Sequence, residues 1–309
     1  LKSLSMCCRL TLSFEDMLKL NANNTFGSYM SIGSHAVVSI NIPRISYESK
    51  GNWSEFERIL LERADEARKL LTVHRKDILG ERRIKYHDFF KNGMLDLKRN
   101  FFSTIGFIGY PDAMEIMGGN ICSGEGHTKG LEMLNLLKKE SLKFTEEDNV
   151  MYNIEEVPAE SASGTLALKD KILYKGDREF YSSQFVPLWY NIPLDKRVEV
   201  ESEFQKITTG GSISHLNVLG TFDEENGFNF QDRLIKKSGM SHFAINRGYS
   251  LCRNGHNTIG IYQKCPVCFS EDMDWITRIV GYFVPVRQWN RVKQLEFKTR
   301  NWYEGENIV

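Results

Sequence analysis

Four side chains near the C-terminus carry donors suited to a single metal ion. Cys252 and His256 lie close together in LCRNGH, and Cys265-Pro266-Val267-Cys268 follows shortly after. Thiolate sulfur and imidazole nitrogen at this spacing are the ligands of tetrahedral zinc. A closed set of four leaves no open position for substrate, so zinc here would be structural. Two readings of the first half stay open. Either His256 completes a set of three cysteines and one histidine, or Cys252 and His256 are incidental to the CxxC turn. Just beyond, Gly281 interrupts the bulky apolar run Ile279-Val280-Gly281-Tyr282-Phe283-Val284. Glycine weakens a strand, so one at this place marks a bulge or a close backbone approach. Spacing alone supports a small zinc module followed by a strand, and nothing more.

Other groups able to do chemistry are scattered. Cys7 and Cys8 are adjacent, which by itself describes buried small hydrophobes. Glu160, after Pro158-Ala159, is either a capping or surface carboxylate or a general acid–base group. Two glycine-rich turns, Thr208-Thr209-Gly210-Gly211-Ser212 with His215 beyond it and Gly118-Gly119-Asn120, have the composition of phosphate cradles, although most such turns are only turns. The chain has neither a P-loop nor a dinucleotide-binding fingerprint.

The elements that must position these groups alternate between strand and helix, which predicts an α/β architecture. AVVSINIPRI (36–45) reads as a buried strand ended by Pro43. Ser54 with Glu57 has the pattern of a capping box for a helix running to Leu79 and closed by Gly80. A strand and turn over 100–109, a short helix Asp112–Met117 and an amphipathic helix His127–Glu140 follow, then a charged stretch. Further elements are a strand Val150–Ile154, a loop around Gly176-Asp177, a helix Lys196–Gln205 and a strand Ser212–Leu219. A turn Glu224–Gly227, a helix Asn229–Gly239 and a strand Ser241–Asn246 come last before the cysteine-rich module. A boundary falls near Arg247, dividing 1–246 from 247–309.

The 309 residues, 41% hydrophobic and 26% charged, suffice for one or two globular domains. Forty basic and forty acidic residues cancel, which argues against a nucleic-acid-binding or membrane-attracted surface. No apolar run is long enough to span a bilayer. Leu1 is preceded by no methionine and followed by no secretory signal, so the expectation is a piece of a longer polypeptide. Six cysteines are too few for a disulfide scaffold in a chain this long, and their clustering suits metal or redox work in a reducing compartment, the cytoplasm by default.

Arg278-Ile279-Val280-Gly281-Tyr282, Pro285, Trp289-Asn290 and Glu296-Phe297 resemble the glycyl-radical loop of the anaerobic (class III) ribonucleotide reductases, which also carry a cysteine-rich zinc ribbon ahead of it. The resemblance is spread over the chain: MCCR at the start, VVSINIPR, STIGF, PAES, FVPLW and GGSISH. It implies part of a ten-stranded α/β barrel with a finger loop, followed by the zinc ribbon and radical loop, and it implies anaerobic reduction of ribonucleoside triphosphates. By the same resemblance an iron–sulfur, S-adenosylmethionine-dependent activase installs a radical on Gly281, where the lack of a side chain lets both flanking peptides share the unpaired electron. Cys8 is then the thiyl residue, Glu160 the acid–base group beside the ribose, and Gly210, Gly211, His215 and Ser34 line the substrate. An N-terminal half of the subunit and a homodimeric whole are also implied.

Two departures from the family pattern matter. In the zinc ribbon the second cysteine is replaced by Gly255, with His256 beside it. At the finger loop, Cys7 stands where formate-using members have glycine, and Ser34 falls where they have asparagine. The double cysteine resembles a subgroup that draws electrons from a thioredoxin- or glutaredoxin-like protein. A ring between adjacent cysteines is strained, so the partner thiol of Cys7 is expected further away, in the N-terminal half; Cys122 is a weaker candidate and reads better as a buried structural thiol. The alternatives are a glycyl-radical lyase of the pyruvate formate-lyase type, which the zinc ribbon argues against, and a non-catalytic zinc-ribbon interaction fragment.

Overall fold

A computed structural model describes residues 3–5, 11–13, 33–79, 88, 101–220, 223–279, 281 and 283–303. Cys7, Cys8 and the expected helix end at Gly80 lie outside the described residues. Strands β1 (Ser3–Ser5) and β2 (Thr11–Ser13) pair antiparallel. The chain divides into two units, one of residues 1–157 and 204–212, the other of 158–203 and 213–309.

In the first unit, β3 (Gly33–Asn41), β4 (Phe101–Ile108) and β5 (Tyr152–Glu156) form a parallel sheet in that order. Helices α1 (Ile42–Ser49) and α2 (Trp53–Leu79) cross from β3 to β4, and α3 (Tyr110–Ile116) and α4 (Gly124–Asp148) cross from β4 to β5. Parallel neighbours need such crossovers, and helices covering the sheet explain why β5 is buried at every position. Ile105, Phe107 and Ile154 are fully buried in the core, with Phe56, Leu71 and Leu134 from the helices.

Several boundaries differ from expectation for identifiable reasons. The β3 strand stops at Asn41, and Pro43 opens α1 rather than ending the strand. The first helical turn needs no N–H from proline and suits its fixed φ. Helix α2 begins at Trp53, capped by Asn52, whose Oδ1 accepts from Glu55 N at 3.1 Å. Ser54 is therefore inside the helix, not its cap. The charged stretch after Glu140 is the last turns of α4, because charges on a solvated face do not stop a helix; Asn149 ends it in the left-handed region.

The turn at 208–211 is stitched along the edge of β5. Gly210 N donates to Ile154 O at 2.7 Å, Ile154 N to Thr209 Oγ1 at 3.1 Å, and Glu156 N to Gly211 O at 3.1 Å. A Cβ on Gly210 would lie 2.8 Å from Ile154 O and 2.9 Å from Asn153 Cγ. Only glycine allows that approach.

The second unit begins with α5 (Glu160–Tyr174), a helix not anticipated from the sequence. Its Gly164 faces Val292 so closely that a Cβ would meet Val292 Cγ2 at 2.3 Å. Helix α6 (Leu194–Ile207) follows, its residues up to Glu203 in this unit. The parallel pair β6 (Ser214–Val218) and β7 (Phe243–Arg247) is joined through α7 (Glu224–Lys236). The turn expected at Glu224–Gly227 is the first turn of α7. Asp223 caps it by accepting from Asn226 N at 2.8 Å, and Glu224 and Glu225 suit the positive end of the helix dipole. Leu194, Val198, Leu216, Val218, Phe230, Leu234, Met240 and Tyr303 close this core.

The chain ends in a four-stranded antiparallel sheet of order β11-β10-β8-β9, formed by β8 (Tyr249–Cys252), β9 (Asn257–Ile259), β10 (Met273–Arg278) and β11 (Phe283–Pro285). A 3₁₀ turn, Val286–Gln288, leads into α8 (Arg291–Thr299). Among the described residues no helix is long and apolar enough to cross a membrane.

Candidate metal centre and the Gly281 loop

The β8–β9 hairpin and a second tight turn bring the four candidate ligands together. Cys252 is the last residue of β8, and the turn after it closes through Cys252 N to His256 O (2.8 Å) and Gly255 N to Cys252 O (2.9 Å). Gly255 there takes φ +88, a conformation a side chain would resist. The CxxC turn closes through Cys265 N to Ser270 O and Phe269 N to Cys265 O, at 2.8 and 2.9 Å.

The four donor atoms lie within 4.8 Å of one another. Sγ of Cys252 and Sγ of Cys268 are 3.5 Å apart, and Sγ of Cys265 is 3.6 Å from Nδ1 of His256. A tetrahedral zinc with bonds of about 2.0–2.3 Å requires ligand separations of about 3.5–3.8 Å, a spacing that both of these pairs, including the one with His256, meet. The side-chain amide of Asn254, 3.3 Å from Cys268 Sγ, and the backbone N–H of Ser270 hold the Cys268 thiol down to about 6. Donors aimed at sulfur favour the thiolate, the form that binds metal.

Gly281 lies in the connection between β10 and β11, partly exposed. The strands pair as Arg278↔Phe283, Thr277↔Val284 and Ile276↔Pro285. Behind them lies a buried ionic triad that sequence reading did not single out: Lys293 pairs with Glu296, and Glu296 Oε1 accepts from Arg300 Nη2 at 2.8 Å. All three are nearly inaccessible to solvent. Burial alone would raise the Glu296 carboxyl, but Lys293 and Arg300 outweigh it and hold the group at about 2. The signal was present in the sequence as i, i+3 and i+7 spacing on one helix face.

The remaining candidates are dispersed. Glu160 is exposed at the start of α5, where Ala159 (φ +60) and Glu160 itself (φ +30) are consecutive non-glycine residues in a costly backbone region. His215, on β6, is buried; its backbone N–H donates to Gln184 Oε1 at 3.0 Å and its Nδ1 lies 3.1 Å from Asn246 Nδ2. Ser34, at a register shift in β3, shares a 2.8 Å hydrogen bond with Thr104 and donates to Ala36 O at 2.9 Å. Ser34, Gly210 and Gly211 belong to the first unit, while Glu160, His215, Gly281 and the metal cluster belong to the second. Cys122 is buried. A further unforeseen cluster sits beside Ser34. His35 Nδ1 is 3.2 Å from His74 Nδ1, and His35 Nε2 is 2.8 Å from Ser103 Oγ, to which Arg75 also donates.

The family described as anaerobic ribonucleoside-triphosphate reductase matches residues 1–303. The chain belongs to that family. Among solved structures, it resembles an anaerobic ribonucleotide reductase at 34% identity and a TM-score of 0.76, over 89% of this chain and 45% of that one. The anaerobic ribonucleotide reductase of Thermotoga maritima with MES in its active site matches at 34% identity and 0.72, over 84% and 44%. The same enzyme in complex with dATP and CTP matches at 34% and 0.72, over 86% and 45%. The chain thus spans less than half the length of these reductases, with a mixed α/β fold similar to theirs. No curated protein matches it significantly.

Proposed function

We propose that the chain is the radical-bearing C-terminal part of an anaerobic ribonucleoside-triphosphate reductase, reducing ribonucleoside triphosphates to deoxyribonucleoside triphosphates. The observation that carries this reading is the match to the reductase family from residue 1 to residue 303. Gly281 is the radical residue and Cys8 the thiyl residue. The Gly281 Cα radical takes the hydrogen atom of the Cys8 thiol, Cys8 sulfur takes the 3′ hydrogen of the ribose, and water leaves C2′. Two electrons come from protein thiols, with Cys7 as the proximal one and a thioredoxin- or glutaredoxin-like protein as donor. A radical-SAM activase generates the radical on Gly281.

Glu160 moves protons to and from the ribose hydroxyls; the strained backbone at Ala159-Glu160 supports a selected placement of that carboxylate. Ser34, His215, Gly210 and Gly211 line the substrate. For the two glycines the contact is one of close backbone approach, because their N–H groups already serve Ile154 O and Thr208 O. Zinc, when bound by Cys252, His256, Cys265 and Cys268, supplies a closed structural clamp. The wider reading includes residues 1–246 as part of a ten-stranded barrel with a finger loop, 247–309 as zinc ribbon and radical loop, and an N-terminal half completing a homodimeric enzyme. A lyase of the pyruvate formate-lyase type is not favoured, because the family match is to reductases.

The test is anaerobic activation of the complete enzyme followed by electron paramagnetic resonance. A doublet that vanishes in Gly281→Ala is expected, and one that survives sinks the radical assignment. Cys8→Ala keeps the doublet and abolishes reduction; retained turnover would refute its role.

A further inference from the structure

The hairpin that carries Gly281 has a short outer strand. Strand β11 is three residues long, ends at Pro285 and lies at the edge of its sheet. Such a strand contributes few ladder bonds and leaves one side unpaired. Beyond its ladder and the packing of Ile279, Val284 and Phe283, the hairpin is hydrogen-bonded by residues at the two ends of α8. At the far end, Arg300 Nη1 donates to Arg278 O at 3.0 Å, on the β10 side of the connection. At the near end, Trp289 Nε1 donates to Val284 O at 3.2 Å, on the β11 side. The Arg300 guanidinium lies over the Trp289 ring, 5.0 Å from its centroid.

We propose that Arg300 and Trp289 form a clasp, gripping both strands of the hairpin on either side of Gly281, and that they are positioning residues for Gly281. The inference rests on the reading of Gly281 as the radical residue. The clasp is itself rigidly mounted. Glu296 holds Arg300 through both Nε (3.3 Å) and Nη2 (2.8 Å), Lys293 neutralises Glu296 from the other side, and Phe297 packs edge-on to Trp289 with centroids 5.8 Å apart. Gln294 Nε2 ties the entry of the helix to Trp289 O at 2.8 Å, and Asn290 caps it by accepting from Lys293 N at 2.9 Å.

An apolar helix of the same shape would bury its face without the desolvation cost of three charges, so the triad is not explained by stability alone. What it adds is direction. A guanidinium held on one side by a carboxylate presents its remaining N–H groups at a fixed angle, and here they meet the carbonyl three residues before Gly281. Hydrogen-atom transfer between a backbone Cα and a distant thiol depends on such placement, because small displacements of reacting atoms are costly.

The test is hydrogen exchange on the purified, zinc-loaded chain, comparing wild type with Arg300→Met and Trp289→Phe. Arg300→Met leaves the neutral Lys293–Glu296 pair, and Trp289→Phe keeps an aromatic ring while removing the Nε1 donor. Each is expected to speed exchange about tenfold or more in peptides covering 276–288, with zinc content and exchange over 249–259 unchanged. Arg300→Lys, which keeps the charge without the fork, is expected not to restore protection. Unchanged exchange over 276–288 in both Arg300→Met and Trp289→Phe overturns the clasp, as does a rise spread evenly over the whole antiparallel sheet. In the activated complete enzyme, Arg300→Met should also give a weaker doublet than wild type. A wild type without any doublet overturns the Gly281 reading and not the clasp, which the exchange result decides.

Discussion

Nδ1 of His256 lies 3.6 Å from Sγ of Cys265, matching the 3.5 Å between Sγ of Cys252 and Sγ of Cys268. Both separations are compatible with ligands of one tetrahedral ion, His256 among them.

Replacing His256 should therefore weaken metal binding. His256→Ala is expected to lower zinc affinity by at least about a hundredfold, since groups that merely orient ligands are already worth about 10–100-fold. His256→Cys should retain it. Competition against a chromophoric chelator measures both, and unchanged affinity in His256→Ala would show that three cysteines hold the metal without it.

Among the buried charges Lys293, Glu296 and Arg300, two on α8 and the last at its C-terminal cap, Glu296 is the anion, and its removal should be severe. Glu296→Gln leaves Lys293 and Arg300 buried without a counter-charge, which costs about 3–5 kcal/mol. The folded carboxyl, near 2, lies below its ordinary value of 4.5, so its contribution is fully present above the ordinary carboxylate range. That stability is lost as pH falls toward 2. Denaturant titration of wild type and Glu296→Gln should give midpoints that converge at acid pH; a constant difference would contradict the ionic account.

How much of this could be read from the sequence depended on whether the signal was local. The metal cluster was legible because CxxC spacing brings two thiols together locally, and strands β3 and β4 because Val-Val-Ser-Ile and Phe-Ile runs have few other uses. Helix ends were less legible. Asn52 and Ser54 are both good caps, and only the path of the chain selects the first. Helix α5 was missed because Pro158 and Gly176-Asp177 suggested a loop, whereas Leu166-Ala167-Leu168-Lys169 has strong helix propensity and Gly164 gains a contact that only tertiary structure reveals. The α8 triad was hidden for a different reason. Lys, Glu and Arg on a short helix ordinarily mean a solvated face, and their burial depends on Trp289, Phe297 and the sheet.

The His35 cluster predicts acid sensitivity with a definite sign. Partial burial, then the charge of Arg75, then His74, lower the His35 imidazole to about 4. The unfolded group titrates near 6.5, so between about 6.5 and 4 the unfolded chain binds the extra proton and stability falls with falling pH. Because His35 is only about half buried, the loss is on the order of 1 kcal/mol after solvent screening. Thermal unfolding from pH 7 to 4.5 should show the decline, and His35→Asn should flatten it; an unaltered slope would remove His35 from the explanation.

The turn beside β5 should not tolerate a side chain at residue 210. Gly210→Ala places a Cβ 2.8 Å from Ile154 O and 2.9 Å from Asn153 Cγ, so the turn must move away from the strand it is bonded to. A shift of that size costs about 1–3 kcal/mol. Asn153→Ala relieves only the side-chain contact, and the carbonyl of Ile154 cannot be substituted away. The double variant is therefore expected to remain destabilised, with little coupling between the two changes in a mutant cycle followed by thermal unfolding. Full rescue by Asn153→Ala would mean that the amide, not the backbone of β5, is what requires glycine at 210.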